Sequence, residues 1–194
     1  LDLGRNIYEV IGEGVVKEES LSRKDKQALE LFRKNHPIIN VTDVVLYPWQ
    51  VELLEKIKTP SDREVICITG RVGNEGKSWL QSYIQSLYGT HRVVRLDIKN
   101  RAENILHALL KQPLSSTDIF LCNSPRQNSI SSSPCCYSVI EAIKDGCATS
   151  AKYNSHQIRF ATPNVVVVFA NSLPVIAELS RDRWTVFRIQ KKDR

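Results

Sequence analysis

The spacing of apolar residues changes near residue 59. Up to that point apolar residues recur every three to four positions, as they do on one face of a helix. A first helix is predicted over RKDKQALELFRK, with Ser22 as its cap. A second helix is predicted to begin at Pro48, a favourable first-turn residue, and to carry PWQVELLEKIK. We therefore predict a helical linker segment over residues 1–58.

Beyond residue 59, short and continuous apolar runs alternate with helical stretches. Strands are predicted at five such runs, residues 64–69, 92–97, 118–122, 165–170 and 184–189. Helices are predicted between them, at residues 77–87, 101–112 and 137–145. Runs that are apolar throughout are typical of strands buried on both faces, in parallel sheets covered by helices. Residues 59–194 are therefore predicted to form an α/β domain with a five-stranded, mainly parallel sheet.

The composition is that of an ordinary globular protein, with 194 residues of which 42% are hydrophobic and 25% are charged. No apolar run approaches the roughly 18 residues that a membrane-spanning helix needs, so we expect no membrane partner. The net charge of +6 permits an acidic polymer as partner without requiring one. Five cysteines without a C-x-x-C motif indicate reduced thiols and an intracellular location. Because the chain starts at Leu1 and contains no Met, we interpret it as a piece of a longer protein.

The strongest local signal is TGRVGNEGKSW, residues 69–79, which lies between the first predicted strand and a predicted helix. It contains Gly-Lys-Ser at residues 76–78, as does the loop that holds nucleotide phosphates with backbone N–H groups and the N-terminus of the following helix. The usual loop has four residues between its first Gly and Gly-Lys-Ser, whereas five separate Gly70 from Gly76 here. The alternative is a strand–helix turn without a ligand, but the flanking strand and helix favour a nucleotide site.

The loop residues have predicted roles. The predicted nucleotide-binding set is Gly70, Gly73, Asn74, Gly76, Lys77, Ser78 and Trp79. The glycines would allow the backbone to approach the phosphates without a Cβ clash. Lys77 would reach the β- and γ-phosphates of ATP, and the Ser78 hydroxyl would ligate Mg²⁺. Glu75 is an objection, because its carboxylate would repel phosphate unless it points to solvent.

Three later segments carry a resemblance to a known family. They are SPRQ (124–127), YSVIEAIKDGCATSAKY (137–153) and PNVVVVFANSLPVIAELSRDRW (163–184). In this order after the Gly-Lys-Ser loop, they resemble the superfamily 3 helicase domain of the replication initiator (Rep) proteins of small circular single-stranded DNA viruses and related plasmids. The resemblance covers about residues 47–190, and five-residue loop spacings also occur in that family.

This resemblance implies an AAA+-type ATPase that uses ATP and Mg²⁺, assembles as a homo-hexamer and moves along single-stranded DNA. It also implies that the N-terminal helices serve oligomerisation, that the protein works in the host nucleus, and that a nickase domain precedes this segment. Asn171, after the strand at 165–170, matches the residue that senses the γ-phosphate or positions the attacking water. Arg183 matches the arginine that acts on a neighbouring subunit's nucleotide, with Arg181 as its rival. Without the resemblance, Asn171 is interpreted as a turn residue and the arginines as a solvated surface.

The segment KDGCATSAKY, residues 144–153, resembles the family region whose hairpin lines the central channel of the ring. There Lys144 and Lys152 would contact DNA backbone phosphates, with Tyr153 and His156 close by. Contact with phosphates is electrostatic and independent of base sequence, so lysines suffice for it. The alternative is an exposed hairpin whose lysines contribute only to solubility.

One position departs from the family. The strand before Pro-Arg normally ends in an Asp that helps to hold Mg²⁺ and its water shell, whereas this chain has Asn123 in FLCNSPR. If the lost charge costs roughly 3 kcal/mol in the transition state, turnover falls about a hundredfold. Three acids are candidates to compensate, namely Asp97, Asp118 and Glu141. The family register places Asp97 one strand too early, and Asp118 starts its strand, at the wrong end of the sheet.

Three functions remain open on the sequence alone. The first is the ATP-dependent DNA helicase domain of a rolling-circle replication initiator, with Lys77, Asn123, Asn171 and Arg183 as catalytic residues and with Ser78 and Asn123 at the metal. The second is a nucleotide- and DNA-binding oligomerisation module that hydrolyses little ATP because of Asn123. The third is a viral RNA helicase of the same superfamily.

Overall fold

The computed structural model describes residues 20–27, 39, 41, 43–98, 100–110, 114, 116–124, 135–150, 156–174 and 179–190. Its helices are α1 (Pro48–Lys58), α2 (Lys77–Tyr88), α3 (Ala102–Leu109) and α4 (Cys135–Lys144), with a 3-10 turn at Arg181–Arg183. Its strands are β1 (Val65–Thr69), β2 (Val93–Asp97), β3 (Ile119–Asn123), β4 (Cys147–Ser150), β5 (His156–Arg159), β6 (Val165–Ala170) and β7 (Trp184–Arg188). Each of the five predicted strands is confirmed, with ends that differ by at most one residue.

Five strands form one sheet in the order β2-β3-β6-β1-β7. Every neighbouring pair in it is parallel, which confirms the predicted α/β fold class. Because the strands run in one direction, the carboxyl ends of β1, β6 and β3 meet at one edge, where Thr69 pairs with Ala170 and Asn123 with Phe169. The remaining two strands, β4 and β5, form a separate antiparallel hairpin.

The sheet is covered by helices on both faces, as its continuous apolar strands predict. Successive residues of β6 alternate between two hydrophobic clusters: Val166 and Val168 lie in one, Val165 and Val167 in the other. The first cluster includes apolar residues of α3 and α4, and the second includes those of α1 and α2. Burial on both faces is the reason why the inner strands β1, β3 and β6 show no polar alternation.

The packing of α1 bears on the predicted domain boundary after residue 58. Trp49, Leu53 and Ile57 of this helix are at most 5% exposed and lie in the same cluster as Ile66 of β1. The helix therefore belongs to the core of the α/β domain, and a boundary between residues 58 and 59 would cut through that core. The predicted cap at Ser22 is observed, because its Oγ accepts from the backbone N–H of Asp25 at 3.2 Å. Most of the predicted first helix lies outside the described residues.

Among the described residues, no helix has both the length and the apolar character required to cross a membrane.

Candidate nucleotide-binding site

A cleft of about 390 Å³ lies at the carboxyl edge of β1, β3 and β6. Its lining residues are Gly73, Asn74, Glu75, Gly76, Lys77, Ser78, Trp79, Gln81, Asn123, Ser124, Phe169 and Asn171. The structure thus brings Lys77 and Ser78 of the loop together with Asn123 and Asn171, which are distant in sequence. Of the predicted nucleotide-binding set, only Gly70 is not among the residues that line the cleft.

The glycine-rich loop has the backbone geometry of an anion site. Asn74 and Gly76 have positive φ angles, +62° and +79°, and Gly76 immediately precedes α2. A Cβ atom at Gly76 would lie 3.0 Å from Nε2 of Gln50, whose Oε1 accepts from the backbone N–H of Tyr47 at 2.9 Å. Glycine is required there both by the φ angle and by this close approach of α1. The N-terminus of the 12-residue helix α2 therefore lies beside the cleft, where its free N–H groups and dipole favour an anion.

Glu75 occupies the inside of this loop. Its side chain is 1% exposed, and its Oε2 accepts from Lys77 Nζ at 2.6 Å. Its Oε1 accepts from the backbone N–H of Val72 at 3.3 Å, and a Cβ atom added to Gly70 would meet its Oε2 at 2.0 Å. The carboxylate points into the loop rather than to solvent. The repulsion between Glu75 and a bound phosphate, which the sequence suggested, is therefore expected to be strong. A phosphate group that contacts Lys77 would lie close to this buried carboxylate and be repelled by it.

Asn123, the last residue of β3, lies on the wall of the cleft opposite the loop. Its Oδ1 accepts from Nε2 of Gln81 at 2.8 Å. The next residue, Ser124, donates its backbone N–H to Phe169 O of β6 at 2.9 Å, which holds the end of β3 against β6. Sequence reasoning missed Gln81, although its position four residues after Lys77 places the two side chains on the same face of α2.

None of the three acids weighed as substitutes for the missing charge lines the cleft. Asp97 pairs in register with Asn123, but it lies on the edge strand β2, which β3 and β6 separate from β1. Asp118 precedes β3 at the opposite end and forms an ion pair with Arg92. Glu141 is exposed on α4. Among the described lining residues, Glu75 is therefore the only acid, and it is paired with Lys77.

The structure encloses Lys144, for which the resemblance predicted a contact with DNA. Its side chain is 5% exposed, and its Nζ donates to the backbone carbonyls of Ser61 at 2.6 Å and Asn164 at 2.7 Å. Burial lowers the pKa of this lysine from 10.5 to about 8, although Asp62 and Glu64 act in the opposite direction. An ammonium group enclosed in this way ties two loops at the amino edge of the sheet and does not face a DNA phosphate.

The other predicted DNA contacts are described only in part. The hairpin expected in this region is present as β4 and β5, which pair from Cys147 with Arg159 to Ser150 with His156. Lys152 and Tyr153 lie outside the described residues, and of His156 only the backbone is described.

The two candidate arginines differ in exposure. Arg183 lies in the turn before β7, at the amino edge of the sheet, where Trp184 pairs with Val65. Its side chain is 11% exposed and its Nη2 lies 3.4 Å from Oδ1 of Asp145. Arg181, by contrast, is exposed. Both therefore lie at the end of the sheet opposite the cleft of their own chain.

Comparisons with known proteins give clear sequence relatives. No protein-family model matches the chain. It is 34% identical over 140 residues to Para-Rep C7 of the faba bean necrotic yellows C7 alphasatellite, an alignment of 71% of this chain and 46% of that protein. It is 33% identical over 146 residues to Para-Rep C10 of the milk vetch dwarf C10 alphasatellite, or 74% and 48% of the two proteins. The chain thus spans about half the length of the relatives it matches.

Solved structures with a similar arrangement are more distant. The apo structure of the NrS-1 C-terminal region has a TM-score of 0.47 at 15% identity and covers 78% of this chain and 41% of that one. NtrX from Brucella abortus in complex with ATP has a TM-score of 0.39 at 12% identity, covering 84% and 38%. These similarities are too distant to assign a site, so the site is assigned from this chain's own residues.

Proposed function

We propose that this chain, which is similar in sequence to Para-Rep proteins of alphasatellites, is the ATP-dependent helicase domain of a rolling-circle replication initiator. The observation that carries the proposal is the cleft at the carboxyl edge of the sheet. It gathers Lys77, Ser78, Asn123 and Asn171 beside the N-terminus of α2. Ligands of parallel α/β sheets bind at this edge.

ATP would bind in this cleft with its phosphates against the loop. The backbone N–H groups of residues 73–78 and the N-terminus of α2 would surround the phosphate oxygens. Lys77 would bind the β- and γ-phosphates, and the Ser78 hydroxyl would ligate Mg²⁺, which supplies charge neutralisation when bound. Asn171 would orient the attacking water or sense the γ-phosphate. Asn123 would act from the position where the family has an acid, through hydrogen bonds instead of charge.

Binding of ATP requires Glu75 to leave Lys77. The charge of Lys77 is balanced within the loop by the Glu75 carboxylate, which accepts from the same ammonium group that a phosphate would use. A triphosphate brings more negative charge than one carboxylate and can exchange into this position. The affinity for ATP is then reduced by the free energy of separating the pair.

The assembly and the DNA channel are also part of the proposal. We expect a homo-hexamer in which an arginine from the amino edge of one subunit reaches the cleft of the next. Arg183 must leave Asp145 to do this, whereas Arg181 is already exposed. Turnover of Arg183→Ala and Arg181→Ala, each mixed in excess with the parent chain, identifies which one acts in trans.

Lys152, Tyr153 and His156 stay proposed contacts for single-stranded DNA, and Lys144 does not. Lys152→Ala should lower the slope of affinity against salt by about one charge, because one phosphate contact is lost. Lys144→Met should leave that slope unchanged. A reduced slope for Lys144→Met would restore this lysine to the channel.

A second function has an observation in its favour. Asn123 carries no charge, and the only acid among the described lining residues is paired with Lys77. A domain that binds nucleotide and single strands, assembles into rings and hydrolyses little ATP would have such a site. The RNA helicase of the same superfamily is the third possibility, and the ratio of DNA-stimulated to RNA-stimulated turnover distinguishes it from the first.

Steady-state ATP hydrolysis with and without single-stranded DNA tests the proposal. The parent chain is compared with Asn123→Asp, with Lys77→Ala and with Lys58→Ala, an exposed lysine of α1 that serves as control. Hydrolysis by the parent that Lys77→Ala abolishes and Lys58→Ala preserves supports a working motor. Hydrolysis only after Asn123→Asp supports the binding module. No hydrolysis and no ATP binding by either would refute both.

A further inference from the structure

Gln81 is a residue of the cleft that no motif in the sequence marks. It lies on α2 one turn after Lys77 and is 1% exposed. Its Nε2 donates to Oδ1 of Asn123 at 2.8 Å, a contact between residues 42 positions apart in the chain. Asn123 is therefore oriented by a buried neighbour at the place where the family has an acid.

The two ends of an amide differ, whereas the two ends of a carboxylate are alike. An Asp at this position would present an oxygen to the cleft whichever way it turned. Asn123 presents either its oxygen or its amino group, and Mg²⁺ and the water bound to it need an oxygen. In the arrangement described here, the oxygen of Asn123 is directed at Gln81. The orientation of the amide therefore matters at this position in a way that the orientation of a carboxylate does not.

The other end of the Gln81 amide, its Oε1, could accept a hydrogen bond from Asn123 if both amides were turned around. Its Oε1 is buried, and no donor among the described residues reaches it. Buried carbonyl groups nearly always have a partner, so this oxygen is a site to which Asn123 can donate in a second arrangement. The two arrangements have the same number of hydrogen bonds between the amides, because Oε1 of Gln81 gains the partner that Nε2 loses. If both amides make a half-turn, Nδ2 of Asn123 donates to Oε1 of Gln81, and Oδ1 of Asn123 turns to the cleft.

We propose that Gln81 is a positioning residue for Asn123, and that the end of the Gln81 amide facing Asn123 decides whether Asn123 offers an oxygen or an amino group to the metal side of the cleft. This inference rests on the proposed function, because it gives Gln81 a part in the same ATPase site. Gln81 contacts neither the phosphates nor the metal in this role. When its Oε1 faces Asn123, Gln81 replaces part of what the missing charge would do, because it directs the Asn123 oxygen to the cleft.

The test is one substitution in two backgrounds. Gln81→Met retains the length and approximate volume of the side chain but removes both ends of the amide. In the parent chain, kcat should fall about tenfold while KM for ATP changes less than about threefold, because an interaction of the transition state is lost. In the Asn123→Asp background, the same substitution should cost less than about threefold, since either carboxylate oxygen serves. Gln85→Met, at a half-buried position one turn further along α2, is the control and should have no effect.

The outcomes separate positioning from a general structural role. Equal losses in both backgrounds, or no loss in the parent, would overturn the inference. Where parent turnover is too slow to measure, the gain in ATP affinity on adding Mg²⁺ replaces kcat. Gln81→Met should then reduce this gain in the parent and not in the Asn123→Asp background. Failure of the proposed function is distinct, because neither the parent nor Asn123→Asp would then bind ATP, and the inference would fall with it.

Discussion

Lys77 lies at the carboxyl edge of the sheet and Lys144 at the amino edge, and only Lys77 has a side-chain carboxylate among its acceptors. At the carboxyl edge, Lys77 donates to the Glu75 carboxylate at 2.6 Å and to the Gly70 carbonyl at 3.1 Å. At the amino edge, Lys144 donates to two backbone carbonyls, of Ser61 and Asn164. A side-chain carboxylate can swing away and yield its place to a phosphate. Backbone carbonyls next to strands move only if the strands move.

The kind of acceptor distinguishes a lysine that can bind a ligand from a lysine that only stabilises the fold. The Lys77 side chain is 15% exposed and lines an open cleft. If Glu75 moves away, an acceptor that enters the cleft can therefore replace it. Lys144 is 5% exposed, and Asn164 reinforces its contact by donating from Nδ2 to the Ile143 carbonyl at 2.8 Å. The exposed fractions of the two lysines differ little. Their acceptors differ more, because a carboxylate side chain can rotate away and a backbone carbonyl cannot.

Nucleotide affinity should show the largest contrast between the two lysines. Lys77→Ala should weaken ATP binding about 10- to 150-fold, because hydrogen bonds to charged groups contribute about 1.5–3 kcal/mol. Lys144→Met should leave the affinity unchanged. Titration of a fluorescent ATP analogue at constant Mg²⁺ measures both. Similar losses of ATP affinity for the two variants would show that Lys77 and Lys144 do not differ in nucleotide binding.

The free energy of unfolding should respond in the reverse order. Lys144→Met leaves the carbonyls of Ser61 and Asn164 without their donor and should cost about 2 kcal/mol. Lys77→Ala should cost less, because the Glu75 carboxylate can turn from the loop into the open cleft. Urea denaturation of both variants gives the comparison. A larger loss for Lys77→Ala would mean that Glu75 cannot leave the loop.

Glu75→Gln tests the mobile acceptor directly. Removing the negative charge should tighten ATP binding about tenfold, because Lys77 no longer has to be released from an ion pair. Glu52→Gln, an exposed glutamate of α1, should have no effect and is the matched control. Calorimetric titration with ATP measures both variants. Weaker binding by Glu75→Gln would show that the carboxylate supports the shape of the loop more than it competes with phosphate.

The smallest effect expected is in the pH dependence of stability. Burial lowers the pKa of Lys144 to about 8 in the folded state, below the 10.5 of the unfolded chain. Between these values the unfolded state binds the extra proton, so the contribution of Lys144 to stability rises with pH. The deficit of Lys144→Met relative to the parent should therefore widen from pH 8 towards pH 10. Urea midpoints at pH 7, 8, 9 and 10 give the trend, and a deficit that stays constant would contradict the lowered pKa.

Much of the fold follows from local sequence. The strands were predictable to within one residue because runs such as VVVVFA are apolar at every position, which only burial on both faces requires. The glycine-rich loop was predictable because its glycines and Gly-Lys-Ser form one contiguous segment. The assignment of α1 was not, since an amphipathic helix before a linker looks the same whether it packs on this sheet or on another subunit. Lys144 has the same limitation, because an ammonium group at the end of a helix is usually exposed.

The amino-acid sequence by itself determined the strands, the position of the glycine-rich loop and the neutral residue at position 123, because each depends on residues adjacent in the chain. The tertiary structure alone decided three further points: Glu75 turns inward onto Lys77, Gln81 holds Asn123, and Lys144 is enclosed at the opposite edge. The reason is physical. Which acceptor a buried polar group finds depends on the elements that close around it, and those elements come from distant parts of the chain.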